Sequence, residues 1–304
     1  MSQPLMYNGL INIYKEQAFT SFDAVAVLRG ILKQKKIGHT GTLDPMAEGV
    51  LLVCLGNGTK LCDMLENRDK EYECVMLLGR TTDTEDTQGV VKTEKEVNCD
   101  ENEIREAVMS FVGKIKQVPP MYSALKKDGK RLYDLAREGK EIEREARDIT
   151  IQEIVIKDIS IPRVTFTVKC GKGTYIRSLC RDIGEKLGCG ACMEHLKRTA
   201  VSGFEVKDSL TLKEVEEIVK NGEIDKYIRP VEDAFSELES LRVNEESARI
   251  INNGNPLIAE NLVECPKSEN DRKYKVYDAE GKFVAVYRYD CERNMFMPVK
   301  MFLQ

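Results

Sequence analysis

The sequence predicts an α+β protein: a larger unit that mixes strands with helices, followed by a small β-rich unit. Three observations carry this. Over the first hundred or so residues, strand-like and helix-like periodicities alternate without one simple repeat. A polar stretch over about residues 116–148, punctuated by Pro119-Pro120 and Gly129, then breaks the pattern like an insertion projecting from a core. The last 70 or so residues hold short strands, KYKVYDAEGKFVAVYRY and MFMPVKMF, with a turn at Ala279-Glu280-Gly281. A boundary near Arg229-Pro230 divides the chain into residues 1–230 and 231–304, and 304 residues at 42% hydrophobic content suffice for a sizeable core.

The elements read as follows. LINIY is an apolar segment that opens the chain, and Thr20-Ser21 with Asp23 starts a helix whose apolar face holds Phe22, Val25, Leu28, Ile31 and Leu32. VLLVCLG is a buried strand, and Gly58-Thr59-Lys60 begins the short helical run LCDMLEN. Tyr72 to Leu78 and VVKTE are strands on either side of TTDTEDTQG. That acidic turn is no calcium loop, because its glycine falls at the seventh position and strands flank it. EIREAVMSFVG is helical, and Leu132 with Leu135 marks a short amphipathic piece inside the insertion. ITIQEIVIKDI and VTFTVKC resume the strands, the second alternating at Val164, Phe166 and Val168. The turn GKGTY launches a helix with Ile176, Leu179, Ile183 and Leu187 on one face, and SLTLKEVEEIVKNG is a capped helix.

Composition excludes several classes. The N-terminus lacks a basic region followed by a long apolar core, and no apolar run approaches the roughly 20 residues of a membrane span, so a cytoplasmic protein is expected. Ten spread cysteines read as reduced, and Cys189, Cys192 and His195 lack the second pair that a tetrahedral metal site needs. The net charge of −5 is unevenly placed. From Lys114 to Arg131 six basic residues face Asp128 alone, and from Arg163 to Arg181 five stand without an acid. Either run could be a phosphate-binding surface or an ordinary solvated face.

The stretch Lys36 to Lys60, KIGHTGTLDPMAEGVLLVCLGNGTK, concentrates constraint. It holds one of two histidines, five glycines and an Asp-Pro pair ahead of the buried strand. Gly38 and Gly41 permit backbone angles closed to other residues, and Pro45 biases Asp44 towards extended backbone. On its own, Asp44 fits an Asx-turn as well as it fits chemistry. Arg177, in the first turn of a helix, gains nothing from the dipole there and calls for an anion. No GxSxG serine supports a hydrolase triad, GNGTK lacks the ending of a phosphate-binding loop, and no GxGxxG follows a strand, so no cofactor is indicated. A constrained aspartate, a few aromatics, an arginine and basic runs suit carboxylate chemistry on RNA.

GHTGTLDPMAEGVLLVCLG, KEYECVMLLGRTTDTEDTQG, QVPPMYSALKKDGKRLYDLAREG and KGTYIRSLCRDIGEKLGCGA, in that order, resemble the bacterial tRNA pseudouridine-55 synthase family over about residues 9–230. The C-terminal portion resembles the PUA-like RNA-binding barrel found at that end of the family. The resemblance implies a largely antiparallel catalytic sheet with helices, a thumb insertion at about 116–148, and isomerisation of a T-loop uridine in tRNA. Asp44 matches the catalytic aspartate, which either attacks the ribose C1′ or otherwise assists base departure, and Arg177 would pair with it. His39 matches the residue that fills the stack vacated by the flipped base, and Tyr72 the residue that stacks on that base and whose hydroxyl could join the proton transfer. Tyr175 and Leu196 match pocket positions and Asp86 a polar contact to the extruded nucleotides. Lys60 and the 114–131 run would meet phosphates.

The implied partner is the T-loop and stem of tRNA, with no cofactor, membrane or obligate protein partner, and a monomeric enzyme. Two rivals stand beside it: a guide-RNA-dependent pseudouridine synthase, against which the intact thumb motif argues, and an RNA-binding or tRNA-folding protein without catalysis, against which Asp44, His39, Tyr72 and Arg177 argue. The chain departs from the pattern at KEQAFTS, where relatives have Lys-Pro and a glycine, at Glu48 in place of threonine, and at Cys192 in place of histidine. Glu48 would put a second negative charge near Asp44.

Overall fold

GLINIYK forms a strand buried on both faces, β1 (Gly9–Lys15), with Ile11 and Ile13 on one side and Leu10 on the other. Thr20 accepts from the backbone N–H of Asp23 while the Asp23 carboxylate returns to Thr20, and this capping box starts α1 (Ser21–Leu32). The helix buries Ser21, Ala24, Val25, Leu28 and Leu32. Phe22 was expected on that face but is 67% exposed, because a helix turns about 100° per residue and the buried stripe passes through Ser21 and Val25. The computed structural model describes residues 7–66, 68–123, 125–127, 129–140 and 142–303. Residues 1–6 of the N-terminal segment and Asp128 of the basic run lie outside the described residues, as do the side chains of Lys126, Lys127 and Arg131.

β2 (Ile37–His39) and β3 (Glu48–Leu55) frame the Asp44 loop, and a 3-10 turn over Gly56–Leu61 leads into α2 (Cys62–Glu66). β4 (Lys70–Leu78) follows, then β5 (Arg80–Thr82) and β6 (Val91–Glu94), which bracket the acidic turn. α3 (Glu101–Met109) starts on an Asp100–Glu103 capping box and precedes β7 (Gly113–Gln117). The polar stretch holds only short elements, β8 (Lys126–Lys127), β9 (Lys130–Arg131) and α4 (Leu132–Arg137). β10 (Arg147–Ser160) and β11 (Arg163–Cys170) form a long hairpin that delivers the chain to α5 (Ile176–Lys186). β12 (Ala191–Val201), β13 (Phe204–Glu205) and α6 (Leu212–Lys220) complete this part, α6 starting from a Thr211–Glu214 capping box.

Nine of these strands form one sheet in the order β1-β3-β12-β4-β11-β10-β7, with β2 added to β3 and β13 to β12, while β5 pairs with β6 and β8 with β9 in separate ribbons. Every pairing is antiparallel except β3 with β12, so the sheet has the largely antiparallel character expected. β12 is a central strand that sequence periodicity does not reveal. Irregularities between Met193 and His195 and between Arg198 and Ala200 break its alternation. Under β4, β11 and β10, Met76, Phe166 and Val168 pack on Ile176, Leu179 and Ile183 of α5. Around β1 and β3, Ile11, Ile13, Leu51 and Val53 pack on α1 and α6.

The C-terminal strands β14 (Glu239–Arg242), β15 (Lys273–Tyr277), β16 (Phe283–Asp290) and β17 (Met295–Met301), with α7 (Ala248–Asn252) between the first two, form a separate four-stranded sheet in chain order. Its core includes Tyr274 and Tyr287, whose buried hydroxyls donate to Ser268 Oγ (2.8 Å) and Asn255 O (2.9 Å). Val286 and Phe302 pack instead with Leu10, Val50, Leu52, Leu61 and Leu65, which joins the two units through one apolar cluster. Among the described residues no helix is long and apolar enough to cross a membrane.

Candidate active site

The loop between β2 and β3 is held from several sides. Leu43 N donates to Ser21 Oγ (2.8 Å), which donates back to Leu43 O (3.2 Å), so the start of α1 fixes the loop's middle. Ala47 N donates to Asp44 O (3.0 Å), closing the Asp-Pro turn, and Ala18 N donates to Pro45 O (2.9 Å). Two buried cations close the back. Lys15 Nζ donates to the carbonyls of Glu16 (3.0 Å), Phe19 (2.7 Å) and Pro45 (3.4 Å), while Arg198 donates from Nε to Val50 O (2.7 Å) and from Nη2 to Gly41 O (3.1 Å). Burial pushes the Lys15 ammonium down to about 8, a shift that the nearby Asp44 charge opposes. The glycines of this stretch with left-handed backbone are not Gly38 and Gly41 but Gly49 (φ +102), where an added Cβ would meet Arg198 O at 2.3 Å, and Gly56 (φ +55).

Asp44 therefore projects from a fixed turn, 38% exposed, and meets Arg177 of α5, whose Nε lies 2.8 Å from Asp44 Oδ2. The Arg177 side chain is only 6% exposed. Its other nitrogens are committed: Nη1 donates to Thr84 O (3.0 Å) and lies 3.8 Å from Asp86 Oδ2, and Nη2 donates to Tyr122 O (2.8 Å). The anion that Arg177 called for is thus Asp44, with Asp86 behind. A guanidinium fixed by two carbonyls holds a carboxylate in one orientation.

Asp44, Tyr72, Tyr175, Arg177 and Leu196 line one cavity of about 710 Å3, with Lys70, Arg147 and Lys172 among its basic residues. Burial pushes the Tyr72 phenol up to about 12 despite the opposing Arg198 charge, and burial raises Tyr175 as well. Both phenols are neutral at physiological pH. Tyr175 precedes α5, and its backbone N–H donates to Gln117 Oε1 (2.9 Å) while its carbonyl accepts from Gln117 Nε2 (3.1 Å), so β7 sets where the helix starts.

Three of the sequence-selected residues lie elsewhere. His39 is half-buried at the head of the loop, its Nδ1 accepting from Gly41 N (3.3 Å). Asp86 is buried behind Arg177, accepting from Thr84 Oγ1 (2.6 Å) and Gln88 N (3.0 Å), and burial raises its pKa. Lys60 donates to Met301 O (3.2 Å) at the junction with the C-terminal sheet. The basic runs are not bare phosphate faces: Arg163 pairs with Glu194 (2.6 Å), Arg177 with Asp44, Arg181 with Glu85, and Lys116 with Asp148 (3.1 Å).

Glu48 has partners of its own beside the Asp44 loop, and its charge and that of Asp44 both act on Lys15. Its carboxylate lies 3.3 Å from His195 Nε2, and Tyr14 is pushed up to about 12 by burial and by its hydrogen bond to Glu48. His195 thus turns to Glu48, away from a metal role with Cys189 and Cys192. Sequence reasoning missed Lys15 and Arg198. Lys15 opens the divergent KEQAFTS segment, the one signal that could have drawn attention to it.

Comparison with known proteins identifies the family. Residues 29–176 match the TruB family pseudouridylate synthase N-terminal domain, and residues 177–236 the tRNA pseudouridylate synthase B C-terminal domain. The chain is 50% identical to the tRNA pseudouridine synthase B of Lachnoclostridium phytofermentans, covering 97% of this chain and 100% of the relative, and 46% identical to that of Clostridium tetani over 92% and 94%. Among solved structures, a chain of a Cbf5-Nop10-Gar1 complex aligns with a TM-score of 0.75 at 26% identity, covering 97% of this chain and 85% of that one. The archaeal box H/ACA sRNP Nop10-Cbf5 complex gives a TM-score of 0.72 at 26% identity over 97% and 86%. This chain belongs to the TruB family and is a pseudouridine synthase.

Proposed function

We propose that the enzyme isomerises the T-loop uridine of tRNA, position 55, with Asp44 as its catalytic group. The observation that carries this reading is the Asp44–Arg177 contact at the wall of a cavity that also holds Tyr72, Tyr175 and Leu196. The reaction breaks the C1′–N1 bond, turns the base and forms the C1′–C5 bond, moving one proton from C5 to N1, so no cofactor is consumed. Asp44, oriented by Arg177, serves at C1′ or assists base departure. The base must leave its stack, at a cost of a few kcal/mol, and His39 at the head of the loop is the residue that takes its place. Tyr72 stacks on the extruded base, Tyr175 and Leu196 shape its pocket, and Asp86 contributes through Arg177.

The insertion at about 116–148, whose Tyr122, Ser123 and Tyr133 line the same cavity, grips the tRNA, and residues 231–304 act as a PUA-like RNA-binding unit. A phosphate contact by Lys60 would be made at the junction of the two sheets. We place the enzyme in the cytoplasm, acting as a monomer without a protein partner. Full-length likeness to relatives named tRNA pseudouridine synthase B supports this over guide-RNA-dependent action, which the Cbf5 neighbours suggest as the second reading.

The test is a purified protein incubated with unmodified tRNA transcript and no added factor. Pseudouridine is expected in the T-loop, and Asp44→Asn is expected to abolish it while tRNA still binds. Activity only in the presence of a guide RNA and partner proteins would favour the second reading, and binding without conversion would leave an RNA-binding protein.

A further inference from the structure

One helical turn beyond Arg177, a second arginine of α5 makes a parallel set of contacts that the reaction has not yet used. Arg181 pairs through Nη1 with Glu85 and through Nη2 donates to Val118 O (3.0 Å). It also meets Asp182 (2.6 Å) and, at 4.0 Å, Glu185. The second oxygen of Glu85 accepts from Ser178 Oγ (2.6 Å), so α5 holds both oxygens of this carboxylate. Glu85 itself has a left-handed backbone, φ 64, which a non-glycine residue adopts only when its surroundings hold it there. Its carbonyl accepts from Met193 N (3.0 Å) in β12.

The consequence lies in what neighbours these anchors. Arg177 is oriented by Thr84 O and Asp86 on one side and by Tyr122 O on the other. Thr84 and Asp86 flank Glu85, and Val118 stands four residues before Tyr122 at the root of the insertion. Arg181 therefore fixes both segments that carry the acceptors of Arg177. A buried ion pair contributes little net stability, since desolvation of both charges offsets most of their attraction, whereas the geometry it imposes is specific.

We propose that Glu85 and Arg181 are positioning residues for the isomerisation, setting the 84–86 turn and the root of the insertion so that the Arg177 guanidinium meets Asp44 in its productive orientation. This rests on Asp44 being the catalytic group. Neither residue lines the Asp44 cavity. Together they tie the placement of the insertion to the carboxylate.

The test uses the full-length protein with Glu85→Gln, Arg181→Met, Arg181→Lys and the double Glu85→Gln/Arg181→Met. Single-turnover pseudouridine formation and tRNA Kd are measured on the same transcript, alongside Tm. Misplacing a catalytic group by about 1 Å costs up to a hundredfold in rate, so each single variant is expected to lose about tenfold or more while tRNA Kd stays within about threefold. The double variant is expected to be no slower than the slower single, because both changes break one contact. Arg181→Lys, which keeps the charge opposite Glu85, should recover part of the rate.

Single-variant rates within about twofold of wild type overturn the proposal, as do losses that multiply in the double variant. A rise in Kd that accounts for the whole loss also overturns it. If Arg181→Met fails to fold, the near-isosteric Glu85→Gln decides by the same rate and Kd criteria. Asp44→Asn serves as the control: its retaining turnover sinks the reading of the site, whereas its inactivity beside wild-type rates in the pair variants sinks only the role of the pair.

Discussion

Arg177 Nε lies 2.8 Å from Asp44 Oδ2, with the remaining nitrogens of the same guanidinium donating to Thr84 O and Tyr122 O. The contact spans three separate segments at once. Only a planar fork of donors can serve these acceptors together, and an ammonium cannot. Arg177→Lys keeps the charge and loses the geometry. The expected outcome is a fall of about a hundredfold in the single-turnover rate, or about 2.7 kcal/mol of transition-state stabilisation, with tRNA affinity changed only a few-fold. Rate and filter-binding measurements on one transcript check this. A rate close to wild type would mean that the charge alone suffices and that orientation does not matter.

Tyr72 separates stacking from proton transfer. Its phenol is pushed up to about 12, so at neutral pH it is an O–H donor about 5 pH units below ionisation. Tyr72→Phe keeps the ring, and a loss of about tenfold or more in rate with unchanged tRNA Kd is expected if the hydroxyl joins the proton transfer. Tyr72→Leu should lose a further factor equivalent to about 1–3 kcal/mol of base stacking. The sign of the shift adds a check. Because the raised pKa keeps the phenol protonated, the wild-type to Phe rate ratio should stay flat from about pH 6 to about pH 10. A ratio that changes within that window would mean that the phenol ionises there.

Much of this arrangement is local in origin and could be read from the sequence. The Thr20–Asp23 capping box, the alternation Val164, Phe166, Val168, and the Asp-Pro turn each depend on residues within a few positions of one another. What could not be read depends on contacts between distant segments. β12 lies at the centre of the sheet, yet two irregularities erase its period-two pattern, and one of its buried side chains is Arg198. Lys15 reads as an ordinary charged residue at a strand end until the Pro45 carbonyl, 30 positions away, is brought to its ammonium. The family resemblance supplied Asp44, Tyr72, Tyr175, Arg177 and Leu196 as a group. It was silent on the two cations behind them and on Glu85 with Arg181.

Glu48 looks disruptive in sequence and is expected to be mild in practice. Its carboxylate is engaged by His195 at 3.3 Å and by Tyr14, while Asp44 faces Arg177. A charge satisfied by its own neighbours perturbs a second carboxylate little. Glu48→Gln is therefore expected to change the single-turnover rate by less than about threefold, an effect below about 1 kcal/mol. Single-turnover assays of both proteins across neutral pH check it. A gain of tenfold or more would show that Glu48 burdens Asp44 after all.

Lys15 gives the chain a pH dependence whose effects on stability and on turnover oppose each other. Burial lowers its pKa from 10.5 to about 8, so between those values the unfolded chain binds more protons than the folded one. Stability rises with pH in that window, is fully present above 10.5, and is lost as pH falls through about 8. Measured against Lys15→Met by urea unfolding at several pH values, the wild-type protein should gain on the order of 3 kcal/mol across the window. Turnover should move the other way. As the ammonium loses its proton it gives up one of three donors to the Glu16, Phe19 and Pro45 carbonyls, and with it the positive charge beside Asp44. The wild-type rate is expected to fall with an apparent pKa near 8, and Lys15→Met should be slow throughout and lack that limb. Stability and rate falling together as the pH rises through 8 would contradict a buried, charged Lys15 behind the Asp44 turn.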